Sequence, residues 1–247
     1  MTSTLAPSAI AHFDNNEFQR ATPFPYWVFD GLLHDHDFTR LCGSFPAEDL
    51  FEVHTGIPRV HGQRPHDRLY LAYETSLYHQ DEANRLGVVR HEALSPEWRR
   101  FIEDLQGAEY HGLIARAVGR ERFSLRFAWH IGTTGSEVSP HVDAEEKLGT
   151  HIFYFNEPGT WQEEWGGATC LLGDRKTASM APDLDDFGQV VPIDQRPNRS
   201  LVMRNREGAW HGVAPLSCPP DARRRLFNVV IEPAAEVSRR SWLRRRR

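Results

Sequence analysis

A chain of 247 residues, 40% hydrophobic and 26% charged, is long enough to bury a core and has an ordinary globular composition, neither disordered nor fibrous. Its net charge of −5 argues against a nucleic-acid-binding body, and no apolar run reaches the length that would span a bilayer. Cys42, Cys170 and Cys218 are odd in number and widely spaced, which suggests neither a disulfide framework nor a zinc knuckle.

The opening segment, MTSTLAPSAIAHFDNN, lacks the pattern of a secretory signal and reads as loose chain, so a cytoplasmic location is expected. Tyr26 to Phe29 predicts a short strand, and His36 to Phe45 a helix ending near Pro46. Ser95-Pro96-Glu97 is a good helix start, with a capping hydroxyl, a proline at the first helical position and an early carboxylate. Trp98, Phe101, Ile102 and Leu105 follow at the spacing of one apolar helix face. Tyr110 to Val118 predicts a second helix, closed by Gly119.

From about residue 122 the period changes to two. Phe123, Leu125, Phe127 and Trp129 alternate with Ser124, Arg126, Ala128 and His130, as in a strand with one apolar face. Short strands are predicted at Thr150 to Asn156, Ala168 to Leu172, Ser200 to Asn205 and Arg224 to Glu232, punctuated by turn residues as in a sandwich or jelly roll. Gly173 to Arg199 has little periodicity and reads as a long excursion with the length of a lid. An α+β layout results, mainly β, with N-terminal helices packed on one sheet. No repeat or linker divides it, so one domain over 1–247 is expected: helix-rich support at 1–121, a β core at 122–232 and a basic tail at 233–247. The tail, ending Arg244-Arg245-Arg246-Arg247, reads as solvated charge, with contact to a phosphate or acidic partner as the alternative.

The pattern His-x-Asp occurs three times, at His12, His79 and His141, so the pattern by itself means little. The first two lie in polar or loose surroundings and read as surface. The third follows a glycine-rich turn, Gly132 to Gly135, and is stiffened by Pro140. In extended chain, residues two apart point the same way, so His141 and Asp143 can reach one ion. His211, after the Ser200 strand, is the candidate third ligand. Two imidazoles and one carboxylate can occupy one face of a ferrous ion and leave the other open.

Parity selects the arginine that such a site needs. In the last strand Arg224, Leu226, Asn228 and Val230 share the more polar face, assigned to the interior of the cup. Arg225, Phe227, Val229 and Ile231 form an almost wholly apolar face suited to packing. Arg224 is therefore the fixed cation that can grip a carboxylate in bidentate fashion, while Arg223 and Arg225 turn toward solvent. The same logic picks Tyr154, whose hydroxyl either joins Arg224 on that carboxylate or serves as a core tyrosine.

These segments resemble the Fe(II)/2-oxoglutarate dioxygenases of the prolyl-4-hydroxylase-like branch. The likeness rests on His141-x-Asp143, Phe153 to Asn156, Trp161 to Gly167, His211-Gly212-Val213-x-Pro215 and Arg224 to Asn228, in that order. It covers roughly residues 122–232, with a weaker likeness at Pro25 to Asp30. The resemblance implies a double-stranded β-helix (jelly roll, cupin-like) in which His141, Asp143 and His211 hold Fe(II) and Arg224 anchors 2-oxoglutarate. Tyr154 matches a tyrosine that bonds the same carboxylate. His130 stands where relatives often place a pocket tyrosine, and Val230 where an aromatic is common, which widens the co-substrate pocket.

The implied reaction hydroxylates an unactivated C–H with O2, releasing succinate and CO2, with ascorbate as a stimulant. A carboxylate at Asp143 favours hydroxylation over halogenation, since related halogenases carry a small residue there. The expected substrate is a prolyl or other residue of a peptide or protein, with a small amino-acid-like or natural-product molecule as the alternative. Asp183 to Asp186 and Glu145-Glu146 would suit a cationic substrate if they line the mouth, and otherwise are solvated loop charges. Trp161, Trp165 and Trp210 would either stack on a ring or pack hairpins. Neither a membrane nor a nucleic-acid partner is expected, and no residue pattern specifies an oligomeric state. A non-catalytic metal- or ligand-binding cupin-like protein and a zinc hydrolase are the competing classes.

Overall fold

The structure is a computed structural model describing residues 2–56, 64, 67–76 and 86–234. The His79 motif and the basic tail from residue 235 lie outside the described residues. The chain runs α1 (Pro7–Ala11), α2 (Asn15–Arg20), β1 (Tyr26–Asp30), α3 (Asp35–Gly43), β2 (Glu52–His54), β3 (Arg68–Tyr73), β4 (Val88–Val89), α4 (Pro96–Gln106) and α5 (Ala108–Val118). There follow β5 (Phe123–Gly132), β6 (Val138–His141), β7 (Gly149–Tyr154), β8 (Thr169–Arg175), β9 (Phe187–Ile193), β10 (Arg199–Arg204), β11 (Trp210–Val213) and β12 (Arg224–Pro233).

Helix α4 begins as its residues dictate. The Ser95 hydroxyl accepts from the Trp98 amide, Pro96 opens the first turn, and Trp98, Phe101, Ile102 and Leu105 are all buried. Helix α5 ends on Gly119 at φ +69°, the left-handed conformation that glycine adopts without strain. Both helices press on the outer face of a large sheet ordered β1-β10-β7-β12-β5-β3-β2, with β4 beside β3. A smaller sheet, β6-β11-β8-β9, faces the inner side. This pair of sheets with helices on one outer face is the expected double-stranded β-helix architecture.

The two faces of the large sheet carry different residues, and the pleat sorts them. Phe227, Val229 and Ile231 of β12 join Phe127, Trp129 and Ile131 of β5 in the core under the helices. Leu226 turns the other way, into an inner cluster with Ile152, Tyr154, Leu201 and Met203 from the large sheet and Leu171 and Ile193 from the small one. The parity reading of the arginine strand therefore describes the real two-sided packing.

Three expectations need correction. The N-terminal segment is not loose: it forms two short helices, and Leu5, Ile10, Phe13 and Phe18 are buried in the main core. Asp14 of the first His-x-Asp motif caps α2, its side chain accepting from the amides of Asn16 and Glu17. The stretch after Gly173 is largely a hairpin, since β8 continues to Arg175 and β9 returns antiparallel along it. Strand β9 is an edge: Phe187 and Ile193 are buried, while Gly188, Val190 and Pro192 are exposed. An edge strand needs only one apolar face and tolerates a proline, which is why its period is faint. Residues before 122 also supply strands, because β1 pairs with β10 and β3 with β5. The three cysteines are buried free thiols. Among the described residues no helix is long and apolar enough to cross a membrane.

Candidate active site

Strand β6 ends on His141, and β11 carries His211 directly across from it in the antiparallel register. Their rings lie 4.3 Å apart between centroids. Asp143, two residues beyond the strand end, turns to the same point. One ligand atom from each of His141, Asp143 and His211 falls within a set spanning no more than 4.8 Å, a separation that one ion can bridge.

The surroundings orient each of the three. His141 donates from Nδ1 to the Ser139 carbonyl at 3.0 Å, and His211 from Nδ1 to the Ala209 carbonyl at 3.1 Å. A carbonyl can only accept, so both protons sit on Nδ1, and Nε2 is on each ring the nitrogen whose lone pair can bind a cation. Lys147 donates to Asp143 Oδ1 at 2.6 Å, one helical turn's spacing along the chain, and Thr150 of β7 to Oδ2 at 3.1 Å. Burial works against ionisation of Asp143, but the Lys147 ammonium beside it, which also donates to it, holds its carboxyl well below the usual range. An ionised carboxylate with two neutral imidazoles is the donor set that a borderline divalent metal such as Fe(II) takes.

A cavity of about 300 Å³ opens from these residues between the two sheets. His130, Ile152, Thr169, Leu226, Asn228 and Val230 line it from the large sheet and its neighbours, and Arg224 stands in its wall. Arg224 is only 5% exposed. Its Nε donates to the Gly167 carbonyl at 2.8 Å, while its buried Nη2 has no hydrogen-bond partner among the described residues. Burial pushes the guanidinium down to about 10, which leaves it charged at neutral pH. A buried cation with an unused donor costs free energy unless an anion completes it, so the cavity is built for a carboxylate at this end. Gly167, at φ +86°, lets the arginine approach: a Cβ there would lie 2.9 Å from Arg224 Cδ.

Tyr154 is buried beside this arginine, with Arg224 Cζ 5.9 Å from its ring centroid. Its hydroxyl bonds Thr169 Oγ1 at 2.9 Å, so its described partner is Thr169. Burial pushes the phenol up, and it stays a neutral donor. His130 lines the cavity edge-on to Tyr70, ring centroids 5.3 Å apart. The three tryptophans pack instead of lining the cavity. Trp161 and Trp165 meet edge to face, and Trp210 lies between Phe187 and Arg175. Glu145, Glu146 and Asp183 to Asp186 are likewise absent from the cavity lining.

Several residues here were not singled out from the sequence: Lys147, Thr150, Thr169, Arg126 and, from β3, Arg68 and Tyr70. The alternation that placed Arg224 and Asn228 inside would, applied to β5, have placed Arg126 inside too. Strand β3 gave no such cue.

Residues 125–231 match the family model described as the 2OG-Fe(II) oxygenase superfamily. No curated protein matches the chain. Among solved structures, a Pseudomonas putida prolyl-4-hydroxylase aligns with TM-score 0.58 at 11% identity over 93% of this chain and 100% of its own. A Trichoplax adhaerens prolyl hydroxylase, solved with a hypoxia-inducible-factor peptide fragment, gives 0.57 at 14% over 92% and 89%. HygX from Streptomyces hygroscopicus, solved with nickel, 2-oxoglutarate and hygromycin B, gives 0.55 at 12% over 85% and 83%. At these identities the likeness is one of fold.

Proposed function

We propose that this chain, a 2-oxoglutarate-dependent dioxygenase through its domain at residues 125–231, hydroxylates an unactivated C–H of an amino-acid unit. A prolyl or other residue of a peptide is the first reading of that unit. The observation that carries the proposal is the convergence of His141, Asp143 and His211 within 4.8 Å in one cavity with the open Nη2 of Arg224. The fold likeness to two prolyl hydroxylases supports the choice of unit. A free amino-acid-like molecule is the second reading, favoured by the charge of the cavity lining.

In this reading His141, Asp143 and His211 hold Fe(II), and Arg224 holds the distal carboxylate of 2-oxoglutarate. The bound metal, with 2-oxoglutarate and O2, supplies an oxidative decarboxylation to succinate and CO2 coupled to hydroxyl insertion. The protein's share is positioning and exclusion of water. Backbone carbonyls of Ser139 and Ala209 fix the imidazole tautomers. Lys147 and Thr150 keep Asp143 ionised and aimed. Ile152 and Leu226 make the middle of the cavity apolar, so a bound dicarboxylate is dry along its methylenes and charged at its ends.

The test is anaerobic titration of 2-oxoglutarate into protein loaded with Fe(II), followed by aerobic turnover with ascorbate. A visible charge-transfer band and succinate release are expected. Asp143→Ala should abolish turnover. Absence of the band, or full turnover by the Asp143→Ala variant, would falsify the reading.

A further inference from the structure

The cavity differs in charge from the rest of the molecule. The chain carries a net charge of −5, yet among the described residues the charged ones lining the cavity are Arg68, Arg126, Lys147 and Arg224 against Asp143 alone. Two of the four cations have work already. Lys147 is paired with Asp143, and Arg224 faces the co-substrate carboxylate. Arg68 and Arg126 are the other two, Arg126 with an ion pair to Glu232, and the sheet register separates them. Leu69 pairs with Ile131, which puts Arg68 beside Gly132 at the Arg224 end. Arg126 pairs with Val230, and Val230 with Thr150, the residue bonded to Asp143. Arg126 therefore stands in one row with Thr150, which bonds Asp143, at two strand spacings or ~10 Å of backbone. Its long side chain covers part of that gap.

The residues of that row and the next leave space for a ligand. Val230 and Ala128 are small, and both line the cavity. Arg126 bonds Glu232 through Nε and Nη2, at 3.3 and 2.8 Å to a single oxygen, and Nη1 takes no part in that pair. Next to Val230 on the same inner face, Asn228 has a buried Oδ1 with no hydrogen-bond partner among the described residues. A buried acceptor without a donor is costly, and here it lines a cavity with a guanidinium nearby. An anion acceptor and an N–H acceptor lie within one small molecule's length of the metal-ligand cluster. A neutral ring in the middle of a peptide uses neither.

We infer that the substrate of this site presents a carboxylate to Arg126 and an N–H donor to Asn228, as a free amino acid or the C-terminal residue of a peptide does. This rests on the oxygenase reading and narrows it. It also reverses the sign suggested by the acidic loops, which lie outside the cavity.

The experiment uses the full chain with Fe(II) and 2-oxoglutarate under anaerobic conditions. The twenty free L-amino acids, their L-amino-acid amides, and short peptides with free or amidated C-termini are added as probes. Perturbation of the charge-transfer band and, in air, stimulated succinate release are read. At least one free acid should act at a concentration at least about tenfold below that of its amide. If only peptides with a free C-terminus act, the source is a chain end, and the inference stands. The Arg126→Gln variant should lose that preference for the acid, and the Arg126→Lys variant should recover part of it. That recovery separates loss of charge from loss of fold. A band that forms normally while amides act as well as acids, or while no acid acts, overturns the inference and leaves the oxygenase reading intact. Failure to form the band at all sinks the oxygenase reading itself.

Discussion

Arg224 and Arg225 are neighbours in the chain and serve opposite faces of β12. Arg224 is buried with an unused Nη2, while Arg225 reaches the helical side, its Cζ 5.4 Å from the Phe45 ring centroid. Truncating a cation that holds a buried carboxylate costs on the order of 2–5 kcal/mol. Arg224→Ala should therefore raise the 2-oxoglutarate dissociation constant by at least ~30-fold. Arg225→Ala should change it by no more than a few-fold. Calorimetric titration of both variants with 2-oxoglutarate checks this, and equal effects would show that the pleat does not decide which arginine binds. His141 and Asp143 were legible for a related reason: two positions apart in extended chain, they share a side. His211 was legible as a residue type after a strand, but its register opposite His141 was not, since pairing between β6 and β11 is set by tertiary packing. Lys147 stands four residues after Asp143, a spacing that carries meaning only once the intervening turn is known.

Elements whose one buried face is apolar and whose other face is polar announce themselves, and the rest do not. Helix α4 showed its cap and its apolar stripe, and β5 and β12 their alternation. Strand β3 did not, because Leu69, Leu71 and Tyr73 turn to the helical core while Tyr70 and Ala72 turn inward, so apolar residues run without a period. Strand β9 failed in another way, with polar Gln189 on its more buried face and Val190 on its exposed one. The contrast predicts stability effects. Phe227 is fully buried and its ring touches those of Trp98, Phe101, Phe127 and Trp129. Phe227→Ala should cost about 3–5 kcal/mol. Val190 on β9 is 44% exposed, and Val190→Ala should stay within about 1 kcal/mol. Urea unfolding with a shared m-value measures both. A comparable loss at Val190 would mean that the β8–β9 edge is covered in the native protein.

On the scale of the molecule, a buried polar pair joins the helical layer to the sheet within their apolar core. His151 of β7 and Tyr110 of α5 share a hydrogen bond of 2.8 Å, and the imidazole is packed against the rings of Phe29, Tyr110 and Phe153. Burial pulls His151 down from 6.5 to about 3. The folded protein thus refuses a proton that the unfolded chain accepts below about pH 6.5. Stability contributed by this group is level above that pH. It falls as the pH drops, by up to ~1.4 kcal/mol per unit, until the folded value near 3 is reached. Carboxylates titrate in the lower part of the same window, so the comparison must be internal. The double variant Tyr110→Phe with His151→Phe removes both polar partners and leaves no orphan between helix and sheet. Its unfolding free energy should decline between pH 6.5 and 4 with a slope shallower than that of the parent by close to one proton. Parallel slopes would show that the imidazole takes up its proton without unfolding the interface. The join between the helices and the sheet would then be open to water, and the site it supports would have a looser back wall than its packing implies.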